Sequence, residues 1–138
     1  MFNGLRLEER FDGGGEFAFY RARRTPTPYR DVGEQVVVLR ASLEAVERRW
    51  PPWADPAIST VLHRPSIVSM LEEGVVGSFR YFVFEYMDGG DLRALLRLGS
   101  MPAAVSVMVT RAVVDALCAA HLAVGRDGTP FAFVHALA

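Results

Sequence analysis

The order of hydrophobic patterns along the chain is the strongest constraint on its fold. Short β-branched or aromatic segments, at 5–11, 17–24, 36–39, 68–71 and 81–85, are separated by glycine and proline turns. The segment from Pro102 to Leu122 is instead a long run rich in alanine and valine, which predicts a helix. Strands followed by helices predict an α+β fold. Tight connections between the first three strands predict an antiparallel meander.

Capping residues mark further helices. Ser42 is a good N-cap for a helix that begins at Leu43, and Asp55 could cap a short second helix that ends near Leu62. Asp91 to Leu98 is a short amphipathic segment followed by Gly99, which predicts a helix that ends there. A last short strand is predicted at 131–134.

Charge and composition exclude several function classes. Fifteen basic and sixteen acidic residues give a net charge of -1, so we expect no binding to nucleic acid. No uninterrupted apolar run approaches the ~18 residues of a membrane span, and no signal peptide is evident, so we expect a cytoplasmic protein. Cys118 is the sole cysteine, and the three histidines lack ligand spacing, so we expect no metal site.

Lysine is absent from this chain of 138 residues, because all fifteen basic residues are arginine. Arginine keeps a positive charge, but its planar guanidinium is not a geometric substitute for a compact ammonium group. Any chemistry that requires a primary side-chain amine is therefore excluded.

Several segments, in the right order, resemble eukaryotic-like bacterial Ser/Thr protein kinases. The segment 82–92, FVFEYMDGGDL, resembles the kinase hinge, often LVMEYVDGGDL. The segment 63–68 resembles the HPNIV motif, and 13–23 resembles the glycine-rich loop with its second strand. Residues 111–121 resemble the long C-lobe helix, and Val134-His135 resembles the start of the VHRDLKP catalytic loop.

This resemblance implies a kinase-like fold with two parts. Residues 1–85 would form an N-lobe-like five-stranded antiparallel sheet with a helix. Residues 86–138 would form the hinge and a truncated helical remnant of the C-lobe.

The motifs depart from the kinase pattern where phosphoryl transfer needs them. The lysine of the third strand falls at Leu39 or Arg40, and Phe17 stands where the loop should have a glycine. The helix glutamate aligns near Asp55, and His135 is followed by Ala136-Leu137-Ala138 rather than by Arg-Asp. We therefore expect a degenerate, truncated pseudokinase that is not an enzyme and has no catalytic residues.

A vestigial nucleotide site is the remaining candidate for ligand binding. The resemblance assigns to it these residues: Gly13, Gly15, Phe84, Glu85, Met87 and Asp91. Without a lysine or a metal the triphosphate charge would be unneutralised, so we expect no cofactor and no ATP binding. Asp91 also has a simpler interpretation as the cap of the following helix. An adenine-nucleotide switch without phosphoryl transfer is the alternative function.

The long helix predicts a partner, because it is apolar nearly all round and such helices are normally buried. Its candidate interaction face consists of Val105, Met108, Val109, Ala112, Val113 and Leu117. We expect a homodimer through this helix, and a scaffold, adaptor or regulatory role in bacterial signalling through protein–protein contacts. A piece of a longer kinase remains an alternative, although the missing lysine and Phe17 argue against a piece of an active one.

Overall fold

The computed structural model describes residues 4–11, 17–25, 33–48, 62–124 and 128–130. The chain forms two compact units, residues 1–55 with 68–86 and residues 56–67 with 87–138. The predicted division into 1–85 and 86–138 stays a prediction.

The first unit contains one five-stranded antiparallel sheet. Its strands are β1 (Leu5–Arg10), β2 (Phe17–Arg24), β3 (Gln35–Ser42), β4 (Met70–Val76) and β5 (Phe79–Glu85). The spatial order is β1-β2-β3-β5-β4, with every neighbouring pair antiparallel. This sheet and its helices confirm the predicted α+β class and the opening meander.

Alternation of side chains along the strands gives the sheet two distinct faces. The first, the valine-rich face, has a fully buried cluster made of Leu5, Ala22, Val36, Val38, Tyr81 and Val83. The second, the phenylalanine-rich face, has Leu39 and Phe82 buried at its centre. Four partly buried side chains pack around that centre: Phe17, Phe19, Met70 and Phe84.

The fourth strand lies further along the chain than predicted. The sequence pattern predicted a strand at 68–71, but β4 runs from Met70 to Val76 and includes Glu72 and Glu73. Both carboxylates have cross-strand partners in β5: Tyr81 Oη donates to Glu72 Oε1 at 3.0 Å, and Arg80 Nη2 donates to Glu73 Oε2 at 2.9 Å. These bonds allow two acidic residues, which are disfavoured in strands, to lie within the sheet.

Glu72 also links strands that are distant in sequence. Arg24 Nη1 donates to Glu72 Oε2 at 2.7 Å, and the Arg24 side chain is only 12% exposed. We predict that Glu72→Gln lowers the free energy of unfolding of the sheet by about 1–2 kcal/mol, because a charge-assisted, partly buried bond loses its charge. Urea unfolding followed by circular dichroism measures this.

Glu9→Gln is the matched control for Glu72→Gln. Glu9 pairs with Arg21 at 2.9 Å, but its side chain is 55% exposed. Because water screens this pair, we expect a change below about 0.5 kcal/mol. Equal losses in the two variants would contradict a special role for Glu72.

The first helix, α1 (Leu43–Arg48), begins where the sequence predicted. The backbone N–H of Ala45 donates to Ser42 Oγ at 3.1 Å, which confirms Ser42 as a capping residue. The helix predicted after Asp55 and the strand predicted at 131–134 lie outside the described residues, apart from Leu62.

The second unit contains two described helices, α2 (Leu92–Arg97) and α3 (Ala103–His121). Both lie where the sequence predicted helices. Gly99 follows α2 with a φ of 139°, a conformation that side-chain-bearing residues rarely adopt, so this position requires glycine.

The length and composition of α3 would also allow it to cross a membrane. The expectation from the sequence concerned only uninterrupted apolar runs, whereas this 19-residue helix includes Arg111 and Asp115 among its apolar residues. Core helices of soluble proteins pass the same test, but among the residues of α3 only Ala120 is buried.

Candidate functional site

The phenylalanine-rich face of the first unit brings together several residues that the kinase resemblance singled out. Phe17, at the predicted glycine position, packs against the Leu39–Phe82 pair. Phe84, at the end of β5, packs against the same pair. The ring of Phe17 therefore lies on the sheet, and this patch is aromatic and aliphatic.

The structure separates the two positions at which the third-strand lysine could fall. Leu39 is 0% exposed and lies at the centre of the phenylalanine-rich face. Arg40, the next residue of β3, contacts Tyr20 and Phe79 instead, and Tyr20 packs against the cluster of the valine-rich face. The position that shares a face with Phe84 and Phe17 is therefore leucine, which carries no charge.

Arg80 is a cation beside this patch that the sequence analysis did not single out. Its Cζ lies 5.5 Å from the centre of the Phe82 ring, and its Nη2 is 2.9 Å from Glu73 Oε2. A carboxylate therefore already pairs with this guanidinium. The alternation of Arg80, Phe82 and Phe84 along β5 is the signal that could have placed all three on one face.

Glu85, a predicted hinge residue, is held in place by Ser69. The Ser69 backbone N–H donates to Glu85 Oε1 at 2.6 Å, and the Glu85 N–H donates to the Ser69 carbonyl at 3.1 Å. The paired bonds fix the end of β5 against the residue that precedes β4. The Glu85 carboxylate thus supports the backbone at this point.

Asp91 and Met87 belong to the second unit. The Ala94 N–H donates to Asp91 Oδ1 at 2.6 Å, so Asp91 is the N-cap of α2, as its simpler interpretation predicted. Met87 is 63% exposed.

We predict that Asp91→Ala increases amide exchange at Ala94 about fivefold, because loss of an N-cap costs about 1 kcal/mol. Asp91→Asn is the control, since asparagine caps helices as well as aspartate and should preserve the protection. Hydrogen exchange measured by NMR gives the exchange rate of the Ala94 amide in both variants. Unchanged exchange in Asp91→Ala would show that the carboxylate does not stabilise α2.

Other predicted residues lie outside the described part of the chain, namely Gly13, Gly15, Asp55 and His135. Within the described ranges, no group of three or more His, Cys, Asp or Glu side chains could hold a metal ion. Cys118 is exposed on α3.

The predicted interaction face of α3 is mostly exposed. Val105, Met108 and Val113 are 40%, 71% and 51% exposed, while Val109 and Leu117 are half-buried. Met108 and Ala112 of this face also line an open groove of about 830 Å³, in which nine residues of α3 and the following turn join Arg64, Pro65 and Ser66. The apolar surface of α3 is thus open along most of its length.

Comparison with known proteins shows a relationship to bacterial kinases. The chain is 31% identical over 124 residues to the serine/threonine-protein kinase PknJ of Mycobacterium tuberculosis, and equally to PknJ of Mycobacterium bovis. The alignment covers 88% of this chain but 20% of each kinase, so the chain spans about a fifth of the length of these curated relatives. No protein-family model matches the sequence. The five-stranded antiparallel sheet is consistent with a kinase N-lobe-like fold.

Proposed function

We propose that this kinase-related protein is catalytically inactive and acts through protein–protein contacts, as a scaffold, adaptor or regulatory partner in bacterial signalling. The observation that carries the proposal is Leu39, a buried leucine at the centre of the phenylalanine-rich face. Phosphoryl transfer depends on charge stabilisation, and this face offers none at that position.

Two features of the sequence support the loss of catalysis. Lysine is absent from the chain, so no other residue can supply the missing ammonium group. Where the resembled VHRDLKP motif has Arg-Asp after histidine, this chain has Ala136-Leu137 after His135. The base and the phosphate-binding cation are thus both replaced by uncharged residues.

Incubation of the purified chain with γ-labelled ATP, magnesium and a generic protein substrate tests the proposal. We expect no label on the substrate or on the chain. A thermal shift assay with ATP, with and without magnesium, tests the alternative nucleotide switch, and we expect no change in Tm. Label-transfer activity that co-purifies with the chain through two columns would overturn the proposal. A magnesium-independent shift in Tm on addition of ATP would favour the switch.

The partner we propose for α3 is a second copy of the chain. Val105, Met108, Val109, Ala112 and Val113 recur at intervals of three and four residues, so they form one stripe along a helix about 28 Å long. Each large apolar side chain that becomes buried contributes about 1.5–3 kcal/mol. A two-fold axis would place this stripe against its own copy, which is the commonest closed arrangement.

A pair of adjacent valines allows a matched test of this dimer. Val113 and Val114 are both 51% exposed, but they lie about 100° apart around α3, and only Val113 belongs to the proposed face. We predict that Val113→Asp weakens dimerisation at least about 30-fold, since it places a charge in an apolar contact. Val114→Asp should change the dissociation constant of the dimer less than about threefold.

Size-exclusion chromatography with light scattering, over a range of protein concentrations, measures the dimer dissociation constants of the wild-type chain and the two variants. A wild-type chain that is monomeric at micromolar concentration would overturn the proposed dimer. Equal weakening by Val113→Asp and Val114→Asp would place the contact elsewhere on the helix.

We propose a cytoplasmic location, although α3 is apolar enough to span a membrane. Arg111 and Asp115 lie near the middle of α3, with Arg111 Nε 3.9 Å from Asp115 Oδ2. A charged side chain at the bilayer centre costs about 2.5–3.5 kcal/mol on insertion scales. Recovery of the protein from cells without detergent tests this location.

A further inference from the structure

The arginines of the sheet differ in what their guanidinium groups contact. Four of them pair with carboxylates, namely Arg21, Arg23, Arg24 and Arg80. Arg40, like Arg6 and Arg10 of β1, has no carboxylate or hydrogen-bond acceptor as a partner within the described residues. Among these three arginines, Arg40 is distinguished by its contacts with aromatic rings. Arg40 is partly exposed at the middle of the sheet, on the valine-rich side.

Two aromatic rings hold the Arg40 guanidinium. Its Cζ lies 5.3 Å from the centre of the Tyr20 ring and 4.6 Å from the centre of the Phe79 ring. Tyr20 belongs to β2 and Phe79 to β5, the two strands that flank Arg40 in β3. Contact with rings from both neighbours restricts the side chain before any ligand binds.

Aromatic contact leaves the hydrogen-bonding capacity of a guanidinium unused. Rings interact with its flat face, whereas its five N–H groups lie in its plane and form the fork that matches a carboxylate. A side chain ordered in advance also loses less conformational entropy on binding. Arg40 therefore has the properties of an interface anchor, and arginine and tyrosine are enriched among such anchors.

The surrounding charge favours an anion. Arg10 of β1 lies opposite Tyr20 of β2 in the strand register, so it is on the same face of the sheet as Arg40, and its side chain is exposed. Glu72, an acidic side chain on this face, is already bonded to Arg24 and Tyr81. A single ordered cation beside apolar rings fits a singly charged planar anion with apolar neighbours.

We propose that Arg40, Tyr20 and Phe79 form a binding site for the carboxylate of an acidic, partly apolar peptide segment of a partner protein. This inference rests on the proposed role in protein binding and names one contact surface and the chemistry of its partner. The site consists of residues of the sheet in the first unit, whereas the proposed dimer face consists of residues of α3 in the second.

A fluorescein-labelled hexapeptide of alternating glutamate and leucine is a suitable probe, with a glutamine–leucine hexapeptide as the uncharged comparison. Fluorescence anisotropy with the full chain should show binding of the acidic peptide and at least about fivefold weaker binding of the neutral one. Arg40→Gln should weaken acidic-peptide binding about fivefold. Arg40→Lys should weaken it about threefold, because an ammonium group cannot form the fork.

Arg6→Gln is the matched control, since it removes the same charge from an exposed position on the opposite face of the sheet. Arg6 of β1 lies opposite Arg23 of β2 in the strand register. We expect less than a twofold change. The Arg40 Nε–Hε resonance of the wild-type chain should also shift on addition of peptide, a readout that does not depend on a variant folding.

An absent resonance shift, or equal weakening by Arg40→Gln and Arg6→Gln, would overturn the site. Either result would leave the phosphotransfer assay and the α3 dimer measurements unaffected. Failure of this inference can therefore be distinguished from failure of the proposed function.

Discussion

Replacing Leu39 with lysine is expected to destabilise the sheet by about 3–5 kcal/mol and to leave phosphotransfer absent. Leu39 is 0% exposed and lies against Phe82, with Phe17 and Phe84 packed around the pair. A lysine there would place an ammonium group among phenylalanine rings without a carboxylate partner. Burial disfavours the charged form of such a group.

The experiment tests whether the missing amine is the only departure from the kinase pattern that prevents phosphotransfer. If the only defect were a missing amine, Leu39→Lys would restore ATP turnover. If the whole face is adapted to apolar packing, the variant loses stability and gains no activity. We expect the second result, because Phe17 occupies the predicted glycine position and packs against the same cluster.

Leu39→Met is the matched control, since it conserves volume and should cost less than about 1.5 kcal/mol. Urea unfolding followed by circular dichroism measures the stabilities, and label transfer from γ-labelled ATP measures the activity. A stable Leu39→Lys variant that transfers phosphate would refute our account of this face.

The second large effect is expected at Gly74, where β4 approaches the ring of Tyr81. A Cβ atom at Gly74 would lie 2.5 Å from Tyr81 Oη and 2.7 Å from Cε1 and Cζ. Tyr81 is 1% exposed and its hydroxyl bonds Glu72, so the ring cannot move without losing packing and a hydrogen bond. We predict that Gly74→Ala destabilises the sheet by about 2–4 kcal/mol.

Gly90→Ala is the control, because the nearest atom to its added Cβ is Ala94 Cβ, at an ordinary contact distance of 3.5 Å. It should change stability by less than about 0.5 kcal/mol. Amide exchange of β3 and β5 reports on the sheet, and exchange of α2 reports on the control site.

A double-mutant cycle with Tyr81→Leu tests the cause of the effect at Gly74. If the ring is the obstacle, Gly74→Ala should cost at least about 1 kcal/mol less in the Tyr81→Leu background. Additive losses would show that the backbone of β4, rather than its contact with the ring, determines the need for glycine.

Local signals in the sequence were sufficient for elements whose determinants are close in the chain. Ser42 and Asp91 were identified as caps because capping joins residues three positions apart, and the structure contains both bonds. The strand predicted at 68–71 ended before the acidic residues Glu72 and Glu73, whereas β4 includes both. Their partners lie seven to 48 positions away in sequence, on β5 and β2, so no local pattern reveals them.

The candidate site shows the same division between local and distant determinants. The sequence placed the missing lysine at Leu39 or Arg40, and strand alternation already put these on opposite faces. The choice between Leu39 and Arg40 required the position of Phe84 on β5. β5 is adjacent to β3 in the sheet, although β4 lies between them in the chain.

The amino-acid sequence alone determined the α+β class, the capped helices and the absence of a side-chain amine, because these depend on composition and on neighbours within one turn or strand. Tertiary structure decided the face to which Leu39 and Arg40 belong, the partners of Glu72 and the need for glycine at position 74. It also decided how much of α3 is exposed. These properties depend on strand pairing and register, and those are set by contacts between residues far apart in the chain.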